Sequence, residues 1–165
     1  MNGSFDGGCT ATRTHVGSMS DATDSPDTKY PSERYPLKDL THRIIGACFT
    51  VQREFGYGFL EAVYRRSIAV ELQYLGIPVE QEVRYELFHR GVSVGVYKAD
   101  LVAGQVLIET KAGPTIPEGS QAQLLNCLSA SRLQLGLLVH FGPTGAVIKR
   151  LLRPKARSPL ATLEH

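Results

Sequence analysis

Cysteine is scarce in this chain and unpaired. Among its 165 residues are three, Cys9, Cys48 and Cys127, an odd number with none at metal-ligand spacing from another. That excludes a disulfide framework, a zinc site and an iron–sulfur cluster, and leaves reduced thiols in a cytoplasmic protein as the plain expectation. Long apolar runs are missing as well. No stretch approaches the ~20 apolar residues that cross a bilayer, and the start of the chain lacks the charged-then-apolar succession of a signal peptide. No membrane partner is expected. A large charge excess is also lacking: the formal net charge is +2, which is no polycation signature, although a local basic groove could still bind nucleic acid. There is no internal repeat.

What is present suits a soluble globular domain. Hydrophobic residues make up 42% and charged residues 21% of the chain, both ordinary values, and the length fits one domain plus tails. Residues 1–35 are rich in Gly, Ser, Thr and Asp, too poor in large apolar side chains to offset the entropy of ordering, and are expected to be a disordered N-terminal tail. Met19 is an alternative start. Residues 154–165 read as a C-terminal tail, in which Leu163-Glu164-His165 resembles the first residues of a cloning tag. The domain is expected over 36–153.

Within that span the hydrophobic period changes along the chain. Leu37, Leu40, Ile44, Cys48, Val51 and Phe55 recur every three or four residues, which predicts an amphipathic helix ending at Gly56. A second helix is predicted from about Phe59 to Leu75, with Leu60, Tyr64, Ile68 and Leu72 on one face and Gly76 and Pro78 beyond it. The period then falls to two: Val83, Tyr85 and Leu87, a turn at Arg90-Gly91, then Val92, Val94 and Val96. Tyr97–Val102 and Val106–Lys111 flank Ala103-Gly104-Gln105 as a hairpin. A loop over 113–119, a helix over 120–131, and two strands around Gly142-Pro143 complete the order α-α-β-β-β-α-β-β, an α/β (α+β) chain.

The residues that carry chemistry are Asp100, Glu109 and Lys111. Glu109 and Lys111 lie two apart on a strand and leave the same face. A turn at Gly104-Gln105 sets Asp100 directly opposite Glu109; a turn at Ala103-Gly104 sets it diagonally. Both registers keep the two carboxylates and the lysine on one side, close enough to share a cation. Two hard oxygen ligands suit Mg²⁺ or Mn²⁺, with the Thr110 backbone carbonyl as a further ligand and the substrate phosphate and water as the rest. Lys111 would position the attacking water or contact the phosphate. The competing explanation is a surface ion pair. Against it, Asp100 and Glu109 interrupt apolar runs, where an unpaired carboxylate is costly. Glu61, at the start of the second helix, either favours the helix dipole or completes the metal shell. Gln123 on the third helix is on its own an ordinary capping or solvated residue.

Together these residues resemble a known family. Gly58-Phe59-Leu60-Glu61-Ala62-Val63-Tyr64 reads as the Gly-x-x-Glu-x-x-Tyr motif of the GxxExxY family. Ala99-Asp100-Leu101, Ile108-Glu109-Thr110-Lys111, Ala122-Gln123-Leu124-Leu125-Asn126 and Gly136-Leu137-Leu138-Val139-His140-Phe141-Gly142 follow in that family's order and spacing, over roughly residues 37–153. The family is similar to the PD-(D/E)XK nucleases. The resemblance implies a restriction-endonuclease-like mixed central sheet flanked by helices, with Asp100 and Glu109 as metal ligands and Lys111 as the catalytic lysine. It further implies that Glu61 is the extra helix carboxylate and that Gln123 holds substrate near the metal. Two positions depart from it: Cys127 stands where RecB-like nucleases have a tyrosine, and Ala99 stands where the superfamily's name has proline.

The activity expected is hydrolysis of phosphodiester bonds in DNA, rather than RNA, by a Mg²⁺- or Mn²⁺-dependent nuclease with structure or end preference, since nothing resembles a base-reading helix. Tyr64, Arg65, Lys98, Lys149 and Arg150 are the expected nucleic-acid contacts, with Arg66, Arg132, Arg153, Lys155 and Arg157 as further cations; an ordinary solvated surface explains each one equally well. The alternatives are a catalytically silent nucleic-acid-binding module, and a subunit of a DNA-processing complex whose first helix or final strands are covered by a partner. A homodimer is among the possible states.

Overall fold

The computed structural model describes residues 37–154, and the segments expected to be tails, Pro154 apart, lie outside the described residues. The elements are α1 (Lys38–Phe55), α2 (Glu61–Tyr74), β1 (Val79–His89), β2 (Val92–Ala103), β3 (Val106–Ala112), α3 (Ser120–Ser131), β4 (Leu135–Gly142) and β5 (Gly145–Leu152). This is the predicted succession. The strands form one sheet in the order β1-β2-β3-β4-β5. Every pair is antiparallel except β3–β4, where α3 makes the crossover that parallel neighbours need.

Strand alternation divides the core into two layers. Leu101, Ala103, Val106, Ile108, Leu135, Leu137 and Val139 pack against Ile44, Cys48 and Val51 of α1 and Tyr64, Ile68 and Leu72 of α2. Val102, Leu107 and Leu138, on the opposite face, pack against Leu124, Cys127 and Leu128 of α3. A mixed sheet covered on both faces is the restriction-endonuclease-like architecture that the resemblance implies. β4 is buried along its whole length, as a strand with a helix layer on each side must be. At Gly136 on β4 a Cβ would stand 2.7 Å from Leu124 Cδ1, so glycine there lets α3 sit close to the sheet.

The stripe of α1 considered as a partner surface is used inside the domain, because Ile44, Ala47, Cys48 and Val51 are all buried in its own core. Among the described residues no helix is long and apolar enough to cross a membrane. The described cysteines are buried and free. Burial pushes the Cys48 thiol up to about 12, and burial with the charges of Glu109 and Asp100 pushes Cys127 up to about 11. Both shifts favour the thiol over the thiolate, which is the reactive form.

One irregularity was not visible in the pattern. Val79 packs with the α1–α2 layer, whereas Val83 and Tyr85 pack with the α3 layer, although all three share strand parity. The switch occurs at Glu82, whose φ is 54° and which, with Asp100 opposite, drops out of the β1–β2 register between Gln81↔Leu101 and Val83↔Ala99. A non-glycine residue held there costs of order 1–3 kcal/mol, and such strain gathers at functional sites. Beyond this point β1 and β2 continue as a hairpin arm to a two-residue turn, Arg90-Gly91, with φ of 48° and 81°, the primed geometry that hairpin twist favours.

Candidate active site

The β2–β3 ladder consists of Leu101↔Ile108, Val102↔Leu107 and Ala103↔Val106. That is the register with the turn at Gly104-Gln105. The φ of 56° at Gly104 is one glycine adopts without a Cβ penalty. Counting outward places Asp100 against Glu109, but the ladder has ended and the strands fork. Into the fork Asp100 turns its carboxylate: Oδ2 accepts the Thr110 backbone N–H at 2.8 Å and the Thr110 hydroxyl at 2.7 Å. Thr110, singled out for its carbonyl, thus contributes its amide and hydroxyl.

Glu109 is almost wholly buried. Its Oε1 accepts from Lys111 Nζ at 2.6 Å and from Gln123 Nε2 at 2.6 Å. Its Oε2 is buried with no hydrogen-bond partner, an arrangement that native cores rarely tolerate without a reason. Glu61 Oε1 lies 3.8 Å from Lys111 Nζ. Asp100, Glu109, Lys111, Glu61 and Gln123 therefore meet at one place. The first turn of α2 reaches it from one face of the sheet, and the first turn of α3 reaches it from the other.

The electrostatics follow from that crowding. Burial pushes the Glu109 carboxyl above its ordinary value; the Lys111 hydrogen bond opposes this, and the Asp100 and Glu61 charges add to it. For Lys111 burial works downward, but the bond to Glu109 and the Glu109, Glu61 and Asp100 charges outweigh it and hold the ammonium above the usual lysine range. Lys111 is thus a charged donor in this arrangement, not a free base.

The expected nucleic-acid contacts divide. Tyr64 is a correction. It is fully buried, stacked on Phe141 with ring centroids 4.2 Å apart, and cannot reach a phosphate. Its hydroxyl donates to the Gly56 carbonyl at 2.9 Å and accepts the Phe59 N–H at 3.3 Å, so it shapes the loop that delivers Glu61. Arg65 faces the site, with Nη1 3.5 Å from Asp100 Oδ1 and Nη2 3.3 Å from Glu82 Oε1. Lys98 Nζ pairs with Glu82 at 3.0 Å; this bond and the charges of Lys98 and Arg65 hold the Glu82 carboxyl below its ordinary value. Glu82 and the pairing role of Arg65 were missed. The one available signal was a carboxylate two residues after another in Glu80-Gln81-Glu82, which is too common to single out. Lys149 faces Leu138, which in turn faces Glu109, so it lies on the site's face of the sheet, ~10 Å away across two strand spacings. Arg150 leaves the other face, where Nη1 donates to Thr41 Oγ1 at 2.8 Å.

A family model described as the PD-(D/E)XK nuclease superfamily matches residues 38–151, which is nearly every residue described above. The chain belongs to the PD-(D/E)XK nuclease superfamily. Its placement in the GxxExxY group rests on the motif resemblance. No curated protein matches the chain. A solved structure described as "Crystal structure of SSO0001" is similar at 19% identity with a TM-score of 0.44. The alignment covers 74% of this chain and 61% of that one, so it spans about three-fifths of that protein's length.

PD-(D/E)XK nucleases act on nucleic acid, and two carboxylates beside a lysine can serve phosphodiester hydrolysis. Among the described residues no three His, Cys, Asp or Glu side chains gather closely enough to form a metal site by themselves. The donor set nevertheless fits a hard divalent cation. Glu109 Oε2 is an acceptor without a donor, Asp100 Oδ1 is met only at 3.5 Å, and Mg²⁺ needs few protein ligands because it keeps several waters.

Proposed function

We propose that this chain is a Mg²⁺- or Mn²⁺-dependent deoxyribonuclease that hydrolyses phosphodiester bonds with preference for DNA structure or ends over sequence. The observation that carries the reading is the buried, unpartnered Oε2 of Glu109 beside Asp100 and Lys111. Asp100 and Glu109 would hold the cation, with the Thr110 carbonyl and Glu61 as further ligands. Bound there, a divalent cation supplies a lowered pKa for a coordinated water and offsets charge gathering on the phosphate.

The chain's own groups do the rest. Lys111, kept cationic by its carboxylate neighbours, donates to the phosphate or orients the attacking water. Gln123 fixes Glu109 through its 2.6 Å bond, and its amide would hold a substrate oxygen beside the carboxylate. Arg65 neutralises Asp100 and is the nearest guanidinium for a backbone phosphate, with Lys98 and Lys149 further out. Contacts to phosphate alone carry no base information, which supports action without sequence specificity.

The test is cleavage of labelled single- and double-stranded DNA by purified protein over a Mg²⁺ titration, beside the Asp100→Asn variant. Cleavage by the wild type and none by the variant is expected. Equal cleavage by both would mean contamination and end the reading. Salt-sensitive binding without cleavage in either Mg²⁺ or Mn²⁺ would favour the silent binding module.

The raised Glu109 carboxyl gives a second expectation. Its folded value exceeds its unfolded one, so in the metal-free chain its contribution is fully present below the ordinary carboxylate range. That contribution is lost as pH rises through the raised folded value. A cation needs the deprotonated ligand. The thermal shift produced by Mg²⁺ should therefore grow as pH rises above the ordinary carboxylate range through the raised Glu109 value; a shift that shrinks on that rise would remove Glu109 from the ligand set.

A further inference from the structure

We propose that β1 is a self-complementary edge through which two copies of this chain pair, joining their sheets. Among the described residues β1 borders the sheet with only β2 beside it. The β2–β3 ladder stops at Leu101, so the arm beyond it is a two-stranded ribbon. Its base rests on the α3 layer through Val83, Tyr85 and Tyr97, but towards the tip its apolar side chains are exposed, and a two-stranded ribbon without further packing is marginal. The exposed ones are Leu87 and Phe88 on β1, and Val92, Val94 and Val96 on β2, the last four more than half exposed. An edge of this kind is normally blunted. Here the breaks fall only at its ends. The positive φ of Glu82 and the bulge between Leu87 and Phe88 bracket five regular residues, Val83–Leu87.

The occupant follows from the order of those five. In an antiparallel pair, directly opposite residues leave the same face. Two identical strands related by a twofold axis must therefore set one residue against its own copy. With Arg84 on the axis, Arg84 faces Arg84 and Glu82 faces Glu86. With Glu86 on the axis, Glu86 faces Glu86. Both oppose like charges, and Val83 or Leu87 on the axis would run the pairing through the break at Glu82 or the bulge between Leu87 and Phe88. With Tyr85 on the axis, Arg84 of each copy faces Glu86 of the other, and Val83 faces Leu87 on either side of the tyrosine pair. Neither Arg84 nor Glu86 makes an ion pair within the described residues. One register satisfies the charges and the apolar side chains together, and it gives a four-stranded arm.

The test uses the full chain and two charge reversals. Light scattering after gel filtration should give the wild type twice its 18.1 kDa, falling towards one chain on dilution. R84E alone and E86R alone each set like charges across the axis and should run as single chains with unchanged circular dichroism. Mixed in equal amounts they should form a heterodimer, because the reversed residues face each other with opposite signs, and the double variant should regain the wild-type mass. A wild type of one-chain mass at every concentration would overturn the pairing. So would single variants that still dimerise, or a mixture that stays monomeric.

Discussion

The Lys111→Ala chain is expected to cleave DNA roughly 10²–10³-fold more slowly than the wild type, the cost of deleting one positioned donor at a site where charge develops. Nζ is 2.6 Å from Glu109 Oε1 and 3.8 Å from Glu61 Oε1, so its charge sits between the two carboxylates that would flank the phosphate. The substitution also leaves Glu109 buried with Gln123 as its remaining partner. A buried pair broken from one side is destabilising, so the rate must be read on protein shown by thermal melting to be folded. Lys111→Arg separates charge from shape: it keeps the cation but replaces a compact ammonium with a planar fork, and should restore activity only in part. A rate unchanged by alanine would remove the lysine from the chemistry.

The largest effect on stability is expected at Phe141. The side chain is fully buried and its ring lies nearly parallel to that of Tyr64, at 9°. Phe141→Ala should cost about 3–5 kcal/mol in urea denaturation, a large part of the ~5–15 kcal/mol that holds a domain folded. A loss below about 1 kcal/mol would show that the ring stack is incidental. Activity should fall further than the unfolded fraction explains. Tyr64 ties down Gly56 and Phe59, and once its ring support is lost the loop before Glu61 loosens. A tyrosine shared by a sequence motif invites a functional reading; here its place is in the packing that aims the carboxylate.

The helices were legible because each writes its buried face into a three-to-four residue period, and both helix caps and strand turns fell near glycine. Glu109 and Lys111 were legible for a similar reason, since residues two apart on a regular strand share a face. Asp100 depended on the turn, and sequence could only narrow that to two registers. Arg65 and Glu82 were not legible as partners, because their meeting depends on a backbone reversal at Glu82 that breaks the period of two. Tyr64 was misread because a motif reports that a residue is needed without saying whether it is needed inside or outside. Gln123 shows the opposite case. On sequence alone an ordinary helix residue, it lies within hydrogen-bond distance of Glu109 because Gly136 brings α3 down onto β4.

The brevity of the β2–β3 ladder has an evolutionary consequence. Three residues on either side of a tight turn, with the Asp100–Thr110 hydrogen bonds beyond them, set how Asp100 and Glu109 stand to one another, and none of these lies in the distal arm. The arm on the far side can lengthen, shorten or exchange its tip without sliding one carboxylate past the other. Descendants of this sequence are thus free to retool what the arm touches while inheriting the acidic pair intact.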